Sequence, residues 1–116
     1  MTKRENFIKK TTNTLIVGLH VEMIEEDGHF VAYCPALELS SYGKNADIAR
    51  KRFEKELEIF FVETTRKGTL DKYLLKMGWT LRKKPVPQYI PPEIDIKDHL
   101  RRLTSSFTEN VTIPVC

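Results

Sequence analysis

The sequence predicts an α+β fold: an antiparallel sheet of three to four strands covered on one face by a long helix, followed by a C-terminal helix and strand. Three observations predict it. Apolar residues alternate with other residues over positions 15–24, as in a strand with one buried face. Asp27-Gly28 follows, a pair typical of tight hairpin turns. Apolar residues then recur at helical spacing from position 49 to 64.

The first half of the chain predicts three strands. The second strand, His29–Tyr33, should run antiparallel to the first, because the turn between them is short. Pro35 cannot donate a sheet hydrogen bond, so it ends that strand, and a third strand is predicted over Leu37–Tyr42. The buried face of the first strand is predicted to consist of Leu15, Val17, Leu19, Val21 and Met23.

Two helices and a returning strand are predicted next. Asn45 is a suitable N-cap and Asp47 places a negative charge in the first turn of the long helix. Gly68 ends that helix, and Thr69 begins a shorter one that ends at Gly78. Trp79–Arg82 then forms a strand, which gives the order β-β-β-α-(short α)-β. The residues of the long helix that face the sheet are Ala49, Phe53, Leu57, Phe60, Phe61 and Thr64.

The chain divides into four predicted segments: a basic arm over 1–13, an α/β domain over 14–84, a proline-rich linker over 85–94 and a helix and strand over 95–116. The last segment is too small to fold alone, so its apolar faces must pack on the main body or on a second subunit. We predict that they form a homodimer interface. The predicted dimerisation residues are Leu100, Leu103, Phe107, Val111, Ile113 and Val115.

The composition is that of an ordinary globular chain. Its 116 residues suit one domain, with 41% apolar and 30% charged residues. Cys34 and Cys116 form neither a disulfide framework nor a CxxC pair. Because the first 13 residues lack the apolar run of a signal peptide and no stretch is long enough to span a membrane, we expect the chain in the reducing cytoplasm.

Charge is unevenly distributed along the chain. The net charge is +3 over residues 1–13, −2 over 14–79 and +2 over 80–116. A mildly acidic body suits a basic protein partner, and basic ends suit contacts with phosphates. The alternative is that these charges only keep the surface solvated.

No residue pattern points to catalysis, a cofactor or a metal. His20, His29 and His99 have no cysteine or second histidine at ligand spacing. The five glycines are dispersed, so no phosphate-binding loop is predicted. Short basic groups such as 50–52 are interrupted by acidic residues and lack the footprint of a nucleic-acid binder. The sequence therefore predicts a protein that is not an enzyme.

Residues 15–81 carry a series of marks in the order turn, strand, proline break, glycine and helix: Asp27-Gly28, Val31-Ala32, Pro35, Leu37, Gly43 and Ala49. This series resembles the HicB-like antitoxin family of bacterial type II toxin–antitoxin systems. The resemblance implies a partial ribonuclease-H-like sheet without catalytic residues. The family's common Pro-Gly-Cys is absent, since Glu38, Leu39 and Ser40 occupy those positions, and Asn45 replaces the usual threonine cap.

The resemblance also implies a partner, a small basic toxin of the HicA type that cleaves messenger RNA and is neutralised by stoichiometric occlusion. Many relatives carry a DNA-binding module. Asn110–Val115 is similar to the strand that opens a ribbon-helix-helix, but no helices follow it, so the chain resembles a variety without that module. Operator DNA is a further partner that the resemblance allows.

The predicted partner-binding residues lie near the hairpin and the third strand. They are Glu25, Glu26, His29, Tyr33 and Tyr42.

Two other functions stay open. The chain could be a stand-alone dimerising or regulatory domain, or a degenerate ribonuclease-H-like nuclease, which would need several inward carboxylates where the strands supply few, such as Glu22.

Overall fold

The computed structural model describes residues 6–11, 13–82, 88–92 and 103–114. They form one seven-stranded antiparallel sheet and two helices. The elements are β1 (Phe7–Lys10), β2 (Thr14–Glu26), β3 (His29–Cys34), β4 (Leu39–Gly43), α1 (Ala46–Lys67), α2 (Leu70–Lys76), β5 (Thr80–Arg82), β6 (Gln88–Ile90) and β7 (Leu103–Pro114).

The 13-residue strand β2 organises the sheet. On one side β7 pairs with it over residues 14–24. On the other side β1 pairs with residues 15–18 and β3 with residues 22–26. Beyond these, β4 extends the sheet past β3, and β6 and then β5 extend it past β1. Each half of β2 therefore lies between two strands.

Both helices cover the same face of this sheet. The odd-numbered residues of β2 from Leu15 to Met23 are buried, as are Phe53, Leu57 and Phe61 of α1. Burying each such side chain stabilises the fold by about 1.5–3 kcal/mol. α2 adds Leu70 and Leu74 to the same core, and the hydroxyl of Tyr89 on β6 donates a 2.8 Å hydrogen bond to Asp71 on α2.

Two glycines permit the local geometry around β3 and β4. At the hairpin turn Asp27 and Gly28 have φ angles of 51° and 78°, which glycine adopts freely and aspartate tolerates. A Cβ on Gly43 would collide with the backbone of Ala49, so the start of α1 lies directly against the end of β4. There the side chain of Asn45 accepts a 2.8 Å hydrogen bond from the backbone N–H of Ile48, which caps the helix.

Trp79 fixes the segment that follows α2. Its indole Nε1 donates a buried 2.7 Å hydrogen bond to the carbonyl of Ala36, in the turn between β3 and β4. The ring itself is 2% exposed. Because the ring is buried and its N–H has an acceptor, Trp79 holds the start of β5 against the loop that precedes β4.

The prediction of a three- to four-stranded sheet is wrong, because the sheet has seven strands. β1 lies in the predicted basic arm, where charge obscures a short strand whose only buried side chain is that of Ile8. β6 lies in the predicted linker, where the neighbouring prolines favoured an extended connection over a paired strand. β1 adds to β2 and β6 adds to β1, and no long alternating pattern marks either strand.

The predicted C-terminal helix is also wrong where the structure describes it. Leu103 and Phe107 belong to β7, while residues 93–102 lie outside the described part of the chain. The spacing of these two residues fits a helix, but it fits a strand equally well, because both are odd-numbered like Val111 and Ile113. β-branched residues throughout this segment favour the strand. Asn110–Pro114, compared above with the opening strand of a ribbon-helix-helix, pairs with β2 of the same sheet.

Candidate protein-binding face

The hairpin joining β2 and β3 ends in an acidic, exposed turn. Glu25, Glu26 and Asp27 are all exposed. Glu26 lies opposite His29, whose ring Nδ1 is 3.2 Å from the carbonyl oxygen of Asp27. This contact and the left-handed turn hold the carboxylates at one end of the sheet.

The register of the strands places most predicted partner-binding residues on one face. Directly opposed residues of an antiparallel pair share a face. Glu26 opposes His29, Glu22 opposes Tyr33 and Val31 opposes Tyr42, so these side chains all lie on the face opposite α1. Glu25 is the exception, since it lies on the helix side. We call this surface the tyrosine face; it consists of Ile24, Glu26, His29, Val31, Tyr33 and Tyr42.

The tyrosine face is accessible and of mixed character. Tyr42 is 62% exposed, and Tyr33, Val31 and Ile24 are half-buried. In the described part of the chain no helix packs against it. Partial burial and the nearby carboxylate of Glu38 raise the pKa of Tyr33 above its usual value. Tyrosines that combine an apolar ring with a polar tip are characteristic of protein interfaces.

Tyr33 and Tyr42 are close neighbours on this face. Tyr33 lies opposite Ser40, and Tyr42 is two residues further along the same strand. Diagonal neighbours of this kind are separated by roughly 7–8 Å between backbones, within reach of aromatic side chains. The register therefore places the two rings within reach of each other on the tyrosine face.

A groove of about 460 Å³ begins at Tyr42 and runs between the outer edge of β4 and α1. Arg52 on α1 donates a 3.1 Å hydrogen bond to the carbonyl of Tyr42, which covers part of that edge. Lys55 and the 48% exposed side chain of Ile59 line the same groove. The sequence did not indicate this extension of the surface, because it joins residues of a strand to residues of a helix.

Two ionisable residues of β2, His20 and Glu22, are buried on the side of the sheet that carries the tyrosine face. They are 9% and 0% exposed, and His20 Nε2 lies 3.7 Å from Glu22 Oε2. Glu109 of β7 is also buried, at 6%, but it opposes Leu19 and so lies on the helix side. Glu22 and Glu109 are therefore on opposite faces and cannot share a metal. The described residues contain no group of three His, Cys, Asp or Glu side chains placed to hold one.

Glu109 belongs to a charged cluster between β7 and α1. The pKa of Glu109 is raised to about 7, mainly by burial and further by hydrogen bonding with and repulsion from Glu54. The positive charge of Arg50 lowers this pKa and so partly offsets the increase. Arg50 lies 3.5 Å from Glu54 and stacks 4.3 Å above the ring of Phe107. Sequence reasoning missed this cluster, although a carboxylate at an inward position between Phe107 and Val111 marks it once β7 is known to be a strand.

The predicted dimerisation residues whose side chains the structure describes lie on the helix side of the sheet. Phe107, Val111 and Ile113 are on the helix face of β7, where Ile113 is 2% exposed and the other two are half-buried. Leu100 and Val115 lie outside the described residues, as does the side chain of Leu103. The apolar side chains are thus used within the subunit, and what β7 leaves open is its backbone edge.

Comparison of the chain with protein-family models, with curated proteins and with solved structures found no match. The resemblance to the HicB-like antitoxins therefore stays a hypothesis. Neither of the two described helices has the length and apolar character needed to cross a membrane.

Proposed function

We propose that this chain is an antitoxin-type binding protein that neutralises a small, basic, HicA-type mRNA-cleaving toxin by stoichiometric occlusion. The observation that carries the proposal is the tyrosine face, on which four of the five predicted partner-binding residues lie together: Glu26, His29, Tyr33 and Tyr42. The fifth, Glu25, adds to the acidic turn at the end of that face.

The composition of the face suits a basic protein. Tyr33 and Tyr42, with Val31 between them, supply the aromatic and apolar area that dominates the affinity of many interfaces. Glu25, Glu26 and the turn residue Asp27 place negative charge at one end. A toxin that cuts RNA needs a basic surface for phosphates, and opposite charges speed the encounter of two proteins and select the partner.

The sequence marks of the resemblance have structural roles that support this arrangement. Asp27-Gly28 forms the hairpin turn that brings β3 against β2. Gly43 lets α1 start directly against β4, which leaves the opposite side of β4 open with Tyr42 on it. The same marks therefore build the tyrosine face and keep both helices away from it.

Occlusion is favoured over chemistry because the ionisable residues of the sheet are not arranged for catalysis. Glu22 and Glu109 lie on opposite faces, and a two-metal nuclease needs its carboxylates together. Cys34 is buried, and burial raises the pKa of its thiol to about 11, so it is a poor nucleophile. Glu22 lies beside Tyr33 but is fully buried, and Glu109 is buried on the helix side, so neither carboxylate is exposed next to the tyrosines.

Co-expression and pull-down test the proposal. The tagged chain is expressed together with the reading frame next to its gene, and a small basic protein is expected to co-purify in equal molar amount. Replacing Tyr33 and Tyr42 together by alanine should abolish co-purification. The matched control is Tyr73→Ala, because Tyr73 is 45% exposed on α2, on the helix side of the sheet. Circular dichroism verifies that all variants are folded.

Two results would contradict the proposal. One is that no small basic protein co-purifies with the wild-type chain. The other is that the double tyrosine variant retains its partner as well as Tyr73→Ala does, which would place the binding surface elsewhere.

A stand-alone dimerising or regulatory domain is the second candidate, and the open edge of β7 favours it. A gene without a neighbouring reading frame for a small basic protein would support this candidate over the antitoxin. An edge that pairs with a second copy is compatible with both functions, since the tyrosine face and the outer edge of β7 are separate surfaces.

A further inference from the structure

The outer edge of β7 is the longest open strand edge in the described part of the chain. β7 has 12 residues and pairs with β2 on its inner side. The pairing is regular from Ser105 to Pro114, and the one irregularity lies opposite Met23 and Ile24. No described strand pairs with the other side of β7, so a row of backbone N–H and C=O groups faces outward there.

The central stretch of this edge, from Ser105 to Ile113, lacks the devices that usually keep strand edges apart; the irregularity and Pro114 lie at its two ends. Proteins protect edges with lysines, prolines, bulges or covering segments. Between Ser105 and Thr112 the strand has no lysine, arginine or proline, and its one charged residue, Glu109, is buried on the side of Glu54 and α1. The other long edge differs, because Arg52 covers the carbonyl of Tyr42 on β4.

We propose that a second copy of this chain pairs with the outer edge of β7 in antiparallel orientation, with Asn110 opposite Asn110 of the second copy. The two sheets then form one continuous sheet. Antiparallel pairing of identical strands has a two-fold axis perpendicular to the sheet, so both α1 helices lie on the same face of the dimer and both tyrosine faces lie on the other.

The side chains of β7 favour this register. With Asn110 at the centre, Phe107 opposes Ile113 of the second copy, Thr108 opposes Thr112, and Glu109 opposes Val111. Apolar and threonine pairs of this kind stabilise a sheet. A register centred on Glu109 would oppose two carboxylates, which is destabilising. A register centred on Thr108 would bring the irregular segment before Ser105 into the pairing.

The same residues favour a second copy over a charged partner. From Ser106 to Thr112, the side of β7 that faces away from α1 carries only small, uncharged polar side chains, and Glu109 is buried on the other side. A strongly basic or acidic partner would find no complementary charge on this edge. The proposal is independent of the antitoxin function, because it uses none of the residues of the tyrosine face. The outward-facing residues are Ser106, Thr108, Asn110 and Thr112.

Light scattering after size-exclusion chromatography gives the first test. The wild-type chain should have twice the mass of the 13.5 kDa monomer. In the variant Thr108→Lys/Thr112→Lys each new lysine opposes a lysine of the second copy. In the matched variant Thr108→Lys/Thr112→Glu each lysine opposes a glutamate. We expect the dissociation constant of the first dimer to exceed that of the second by about tenfold or more.

Disulfide cross-linking gives the second test. In a Cys116→Ser background, Asn110→Cys places two cysteines opposite each other at a separation that a disulfide spans. Thr112→Cys is the control, because its counterpart lies opposite Thr108. Oxidation should cross-link the first variant and not the second. A monomeric wild-type chain, equal dissociation constants for the two charge variants, or cross-linking at Thr112 but not at Asn110 would overturn the proposal.

Discussion

Replacing Glu109 by glutamine should remove a pH-dependent loss of stability. Glu109 is 6% exposed, and its Oε1 atom has no hydrogen-bond partner among the described residues. Its carboxyl group faces Glu54 of α1, and Arg50 is the nearby cation. Burial and Glu54 together raise the pKa of Glu109 from 4.5 to about 7. Between about pH 4.5 and about pH 7, Glu109 therefore keeps a proton in the folded protein that it releases in the unfolded chain.

The sign and size of the effect follow from this difference. The contribution of protonated Glu109 to the free energy of unfolding is fully present below about pH 4.5. It is lost as the pH rises through about 7, because ionising Glu109 costs more free energy in the folded state than in the unfolded state. A pKa shift of this size corresponds to about 3 kcal/mol. Glu54 is half exposed, and solvent screens its repulsion, so about 1–3 kcal/mol is expected. Glutamine cannot ionise and should retain this stability.

Urea unfolding, followed by the fluorescence of the buried Trp79, measures the free energy of unfolding at about pH 5 and about pH 8. The Glu109→Gln variant should be more stable than the wild type at the higher pH, with little difference at the lower one. Glu58→Gln, at an exposed position of α1, is the control and should follow the wild type. If Glu109→Gln loses as much stability between the two pH values as the wild type does, the carboxyl pair is not the cause.

Three further predictions concern the core, the loop and the acidic turn. Phe53→Ala or Leu57→Ala should lower the free energy of unfolding by about 2–5 kcal/mol in urea titrations, because both side chains are fully buried; losses near zero at both would refute helix-on-sheet packing. Trp79→Phe should cost about 1–3 kcal/mol, because it leaves the buried carbonyl of Ala36 without its donor; an unchanged unfolding midpoint would show that water replaces the indole. Reversing Glu25 and Glu26 to lysine should slow toxin association in stopped-flow measurements and weaken its salt dependence without unfolding the chain, whereas an unchanged rate in low salt would exclude the acidic turn from recognition.

The sequence predicts well those elements that have a long local pattern. The alternation from Leu15 to Met23 predicts β2, and Asp27-Gly28 predicts its turn. Asn45 and Gly68 define α1, which runs from Ala46 to Lys67. In each case the deciding physical signal, a burial period or a cap, lies within a few residues of the element itself. The shared face of His29, Tyr33 and Tyr42 follows from the same alternation once the strands are paired.

The remaining elements depend on contacts between distant segments. β1 and β6 are short, and each becomes a strand only because an existing edge accepts it. β7 carries an alternating pattern that a helical spacing also fits, and its pairing with β2 joins segments about 90 residues apart in sequence. The Glu54–Glu109 pair was hidden for the same reason, since a residue's face is unknown until its element is known.

The most direct test of the central claim is a titration of RNA cleavage. A small basic protein that co-purifies with this chain is assayed as the ribonuclease, and increasing amounts of this chain are added to it. Occlusion predicts that cleavage falls in proportion to the chain added and ends at equal molar amounts, and that the variant Tyr33→Ala/Tyr42→Ala fails to inhibit while Tyr73→Ala inhibits fully. Cleavage that continues at a molar excess of the wild-type chain would contradict the account.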